Sequence, residues 1–278
     1  MLVSVLSLFM KLLRASLLPL SVIFLLLNFP DYNINEPSGT PVIHEKFDPS
    51  LTRLNTLNKL DAYADSITAL KNIRPGTLDY VIELKNIVSY RFYHKYAAQS
   101  LRENWIAAAS QKITGLYLSS KIQSDDILTR PYGYCGQQNV VLKDLFEMHG
   151  IRGRVLYFPE HFVLQAYVEG KWCFFDADGE PDIKPYQRGN ITWLMNPDSL
   201  AIAYHKDRAW AVETFGDPVY YRIGRLDEIR GPRAQLFQDI TKVLSRIAFL
   251  FPLLLYVYLR LKQKRKAAIV STDLQQAA

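Results

Sequence analysis

The sequence predicts an α+β domain flanked by two membrane-spanning helices. Three observations predict it. Apolar residues at helical spacing fill the first half of the middle region. Short β-branched and aromatic runs fill the second half. An uncharged apolar run lies near each end.

The 278 residues, 49% of them hydrophobic, allow one sizeable core plus extra segments. The net charge of +6 resides at the ends: Lys11 and Arg14 give +2, and Arg260, Lys262, Lys264, Arg265 and Lys266 against Asp273 give +4. The middle is neutral, which argues against a nucleic-acid partner. Ala15–Phe29 is uncharged and, with Leu12 and Leu13, approaches the ~17–25 residues that span a bilayer. No small-x-small site near Asn28–Asp31 favours cleavage, so an anchor is expected over residues 1–29. Ile247–Leu259 is shorter, with 13 uncharged residues. Lys242 and Arg246 extend it by snorkelling, Tyr256 and Tyr258 sit where an aromatic belt would lie, and a basic run follows. Pro252 is expected to kink it. The alternative is an amphipathic helix on a membrane surface. The positive-inside rule puts both termini in the cytoplasm and the middle across the membrane. In a bacterium that is the inner membrane and a periplasmic domain.

Residues 30–48, rich in Pro, Asn, Asp and Gly, read as a linker. The domain is expected over 49–236, with a membrane helix at 237–261 and a basic tail at 262–278. Leu51, Leu54, Leu57 and Leu60 predict one helix. Pro75-Gly76 breaks it, and Thr77 caps a long helix running through Tyr96 and onward through "AAQSLRENWIAAASQKI". A further helix opens at Cys135, buries Val141, Leu142, Leu145, Phe146 and Met148, turns Gln137, Gln138, Lys143, Asp144 and Glu147 outward, and ends at Gly150. "GRVLYF", "HFVLQAYV", "KWCFFDA" and "DPVYYRI" read as strands, and a helix is expected from Pro232.

A turn centred on Glu169-Gly170 pairs Tyr167 with Trp172, Val163 with Asp176 and His161 with Asp178. Side chains alternate along a strand, so His161 and Asp176 share a face as diagonal neighbours. Cys173 then points the other way and is expected in the core, rather than in a disulfide with Cys135. A cysteine at a helix N-terminus, a histidine and a carboxylate are the parts of a nucleophilic site. The dipole favours thiolate, the imidazole moves the proton, and the carboxylate fixes the ring. Backbone N–H groups at the helix start suit an oxyanion. Tyr132, Tyr134 and Gly136 are candidates for substrate or oxyanion contact. His44, His94, His149 and His205 have no partners at metal-ligand spacing. There is no HExxH and no phosphate loop, so neither a metal nor a cofactor is expected.

"YGYCGQQNVVLKDLFEMHGI", His161, and "GKWCFFD" with Trp172 four residues before Asp176 resemble the transglutaminase-like superfamily of papain-type thiol enzymes, over roughly Asp125–Asp178. The resemblance implies a Cys helix packed on an antiparallel sheet, with Cys135 as nucleophile, His161 as acid/base and Asp176 as orienting carboxylate. It implies hydrolysis of, or acyl transfer from, a peptide or protein, with envelope or polysaccharide-export proteins as partners. Two other readings stand beside it. One is a non-catalytic domain that binds peptides or scaffolds a membrane complex. The other, an arylamine acyltransferase, would need cytosolic acyl-CoA.

Overall fold

A computed structural model describes residues 2–37, 46–226 and 231–276. His44, residues 38–45 of the expected linker, the strand-region boundary at Asp227 and the last two residues of the tail lie outside the described residues. In chain order the helices are α1 (Leu2–Leu26), α2 (Leu57–Leu70), α3 (Leu78–Arg91), α4 (Leu101–Thr114), α5 (Ser124–Leu128), α6 (Cys135–Met148), α7 (Pro197–Ala203), α8 (Arg208–Phe215), α9 (Pro232–Ile247) and α10 (Leu250–Gln276). The strands are β1 (Gly153–Tyr157), β2 (Phe162–Val168), β3 (Lys171–Phe175) and β4 (Arg222–Ile223). They form one antiparallel sheet in the order β3-β2-β1-β4. The protein is therefore α+β.

The chain divides into two compact units: Met1–Asn35 with Ala98–Ser119 and Leu236–Ala278, and Glu36–Ala97 with Ser120–Gln235. The sequence reading placed residues 49–236 together, whereas residues 98–119 cluster with the terminal helices. The reason is local. Asn104 Nδ2 donates to Thr241 Oγ1 at 2.8 Å, and Trp105 Nε1 donates to the Ser245 carbonyl at 3.0 Å. The start of the expected linker is likewise tied down, since Asn33 Nδ2 donates to the Ala98 carbonyl.

In the second unit the sheet carries a core on each face. Val155, Leu164, Ala166, Cys173 and Phe175 pack with Val141, Leu145 and Phe146 of α6 and with α2 and α3. Leu156, Val163 and Phe174 pack on the other face with Leu200 of α7 and Ala211 and Phe215 of α8. The β2–β3 register pairs Tyr167 with Trp172 and Leu164 with Phe175, as the turn at Glu169-Gly170 requires. Both turn residues have positive φ, +50 at Glu169 and +80 at Gly170, the twist that tight hairpins prefer. A glutamate is unusual there, but its Oε1 accepts from Leu78 N at 3.1 Å and so caps α3.

Four sequence expectations need correction. The first leucine run is not one helix: residues 49–53 form a 3₁₀ turn, and Thr56 starts α2 by accepting from Lys59 N. The long helix ends at Arg91, because Phe92 is extended and Tyr93 bonds to the strand-like segment at Pro131 and Gly133; α4 then restarts on the Ser100–Glu103 capping box. Helix α6 is buried nearly all round: Gln137, Gln138 and Lys143 are inside, while Met148 is 44% exposed. "DPVYYRI" supplies only the two residues of β4. Near the C-terminus Pro252 acts one turn ahead of itself. Its ring clashes with the carbonyl four residues back, so the break falls at Ala248–Phe249 and Pro252 sits in the first turn of α10.

Among the described residues no single helix is long and apolar enough to cross a membrane; α9 and α10 up to Arg265 pass that test together, bent by 46°.

Arg91 ties this unit together from inside. It is 1% exposed, and its guanidinium donates to the carbonyls of Thr52, Leu54, Leu128 and Arg130. Burial lowers its pKa to about 10. Arg91→Met leaves those carbonyls without their donor, and an orphaned buried group costs about 1–3 kcal/mol. A fall of at least that size in unfolding free energy is expected in urea titrations.

Candidate active site

Cys135 is the first residue of α6, and Tyr134 is its extended N-cap. Gln137 holds this turn in place: its Oε1 accepts from Ala97 N and Tyr134 N, and its Nε2 donates to the carbonyls of Ala97 and Lys121. The far end is fixed by Gly150 at φ +67, with Ile151 N bonded to Phe146 O and Gly150 N to Glu147 O, a Schellman closure. The first-turn N–H groups of Gln137 and Gln138 donate to Tyr134 O, while those of Cys135 and Gly136 meet no acceptor among the described residues. They remain available to a developing oxyanion.

The hairpin supplies the partners. His161 Nε2 lies 2.6 Å from Asp176 Oδ2. A donor atom of the Cys135 thiol, one of the His161 ring and one of Asp178 lie within 4.8 Å of one another. With Nε2 committed to Asp176, Nδ1 is the nitrogen left for the thiol. All three expected residues are thus brought together, and all are buried: Cys135 5% exposed, His161 7%, Asp176 0%. Both cysteines are free, and Cys173 lies in the core as its register demands.

Asp176 is held at both oxygens. Oδ2 also accepts from Tyr204 Oη at 2.9 Å, and Oδ1 accepts from the N–H groups of Asp178 and Gly179 at 3.0 and 3.1 Å. Burial works against the His161 imidazolium, but the Asp176 carboxylate, its hydrogen bond and the Cys135 contact prevail. The His161 pKa lies well above its usual 6.5. Burial and the same carboxylate hold Tyr204 well above 10, so it stays a neutral donor. The rings of Tyr204 and Phe215 stand edge-on to His161.

Sequence reasoning missed several neighbours. Tyr204 gave no signal, being at the end of a short helix 28 positions beyond Asp176. Gln138 was expected outside, yet its Nε2 donates to Asp178 Oδ1 at 2.6 Å and its Oε1 is buried without a partner. His94 Nδ1 meets Asp178 Oδ2 at 2.7 Å. Asn139 Nδ2 joins the Cys135 carbonyl to the Phe162 carbonyl. The hairpin register did place Asp178 opposite His161. Cys135, His161 and Asp178 form a donor set that suits a thiophilic divalent cation. The three come from separate segments, which is why spacing did not reveal it.

The tentative neighbours divide. Tyr134 and Gly136 line a cavity of about 170 Å³ with Val140, Tyr157 and Phe162. Tyr132 points to a different environment: its hydroxyl donates to Glu36, and its ring packs against Tyr93. No protein-family model, curated protein or solved structure matches the chain.

Two outcomes follow. Because folding raises the His161 pKa, its pair with Asp176 contributes fully below pH about 6.5 and is lost as pH rises through the folded value. The stability difference between the protein and His161→Gln, measured in urea at several pH values, is expected to shrink as pH rises. Tyr204→Phe removes one donor to Asp176, an expected loss of about 1–3 kcal/mol by the same measurement.

Proposed function

We propose that the protein is a membrane-anchored, transglutaminase-like thiol enzyme that transfers acyl groups from peptide or protein substrates outside the cytoplasm. The observation that carries this reading is a buried cysteine at a helix N-terminus beside an imidazole whose far nitrogen is fixed by a carboxylate at 2.6 Å. With the thiol proton already resting on His161 Nδ1, the Cys135 sulfur bonds to the carbonyl carbon, and the oxyanion meets the N–H groups of Cys135 and Gly136. The C–N or C–O bond breaks, His161 protonates the leaving group, and a thioester remains. Water or an amine then attacks, His161 takes its proton, and the thiol is restored. Water gives hydrolysis; an amine gives transamidation.

Anchoring draws support from the terminal helices. Arg14 Nη1 donates to Gln263 Oε1 and Ser21 Oγ to the Phe249 carbonyl, so α1 and α10 run antiparallel. Lys11 and Arg14 therefore share an end with Arg260, Lys262 and Lys264, and the positive-inside rule assigns that end to the cytoplasm. For a bacterium the remaining domain is periplasmic, facing envelope or polysaccharide-export proteins.

The 5% exposure of Cys135 favours a second reading, a non-catalytic domain that binds peptides or scaffolds a membrane complex. Iodoacetamide alkylation and p-nitrophenyl acetate acylation of the full chain in detergent, with Cys173→Ala as background, separate the two. The enzyme reading expects a single acetyl adduct on Cys135, and rates lowered by about 10²–10⁴-fold in His161→Ala. A thiol that forms no adduct and alkylates equally well without His161 would sink the enzyme reading.

A further inference from the structure

The helical unit formed by the chain ends is inverted. Its buried residues include Ser21, Asn104, Gln111, Gln238, Thr241 and Ser245. On α9, Leu236, Ile240, Val243 and Ile247 are instead 61%, 48%, 59% and 38% exposed. Their spacing of four, three and four places them on one helix face, opposite Gln238, Thr241 and Ser245. A helix in water buries its apolar stripe. Here polar side chains join the helices and the apolar stripe is left outside, as on an amphipathic helix that lies in a membrane interface.

The backbone follows the same rule. Helix α4 is broken at Asn104, with φ −164 and ψ 80. Two backbone donors just past the break are satisfied by side chains: Ile106 N donates to Ser245 Oγ at 3.2 Å and Ala107 N to Asn104 Oδ1 at 3.1 Å. These bonds hold α4 on the polar side of α9, away from the apolar stripe. The stripe also continues into α10, where Phe251 and Leu254 are 60% and 63% exposed.

We infer that α9 lies along a bilayer surface, with Leu236, Ile240, Val243 and Ile247 in the headgroup–acyl boundary and α10 turning 46° from it into the membrane. This rests on the anchoring part of the proposed function and is independent of the thiol chemistry. Helix α9 is then a second membrane contact rather than a stalk, and its buried polar face is the side that holds α4.

The test uses the full chain in phosphatidylethanolamine–phosphatidylglycerol vesicles. Spin labels are placed singly through Ile240→Cys, Val243→Cys, Lys242→Cys and Leu254→Cys in a Cys135→Ala, Cys173→Ala background, and their collision rates with oxygen and with a water-soluble nickel complex are compared. The oxygen-to-nickel ratio is expected to be severalfold higher at 240, 243 and 254 than at 242. A lipid-like ratio at 254 with water-like ratios at 240 and 243 overturns this inference and leaves anchoring intact. Water-like ratios at all four sites overturn both. Labels at 240 and 243 shielded from both reagents, with spin–spin broadening between copies, would make the stripe a dimer seam and equally overturn it.

Discussion

The Asp176 carboxylate is the constraint around which the second unit is arranged. A fully buried charge survives only if its lone pairs are occupied. Here they are taken by His161, Tyr204 and the backbone of the following turn. Each partner fixes something different. His161 fixes the ring that faces the thiol, Tyr204 ties in the end of α7, and the turn N–H groups set the path that brings Asp178 back toward α6. Just beyond, Glu180 takes the buried Lys85 ammonium at 3.0 Å and the Arg188 guanidinium. Burial pushes the Lys85 pKa down while Glu180 opposes it. One carboxylate therefore couples the hairpin, a distant helix and the loop between them.

Much of this arrangement was legible in the sequence because it depends on local rules. The parity of the hairpin turn alone decides that His161 and Asp176 share a face. Glycine at position 150 and threonine at position 77 announce the ends of α6 and α3 through backbone geometry and capping. What stayed hidden depends on tertiary partners. Gln137 and Gln138 are polar by composition, yet bind backbone or carboxylate groups that become neighbours only after folding. Tyr204 acts through a contact that no periodicity encodes. The end of α3 is set by the pairing of Tyr93 with a segment about forty residues away, against a run that could equally have stayed helical. In the terminal helices the apolar character was plain, but their polar inner faces were not, because sparse Ser, Thr and Asn residues barely alter mean hydropathy.

The three side chains are almost closed to solvent. Burial strengthens the His161–Asp176 pairing and leaves little room to reach the thiol. The apolar cavity beside Tyr134 and Gly136 is the roomier side, and it borders the same helix turn that carries the free N–H groups.

The hairpin turn has a consequence for how such a chain can change length. Glu169 clamps the start of α3 while the turn around it keeps two chemically matched positions in phase. Inserting one residue there would rotate one strand's entire side-chain set through the sheet. Inserting two would restore the phase but carry the clamp away from its helix. Related chains are therefore expected to vary freely in the loops after the sheet, and to hold the reach of this one side chain between a turn and a helix nearly constant.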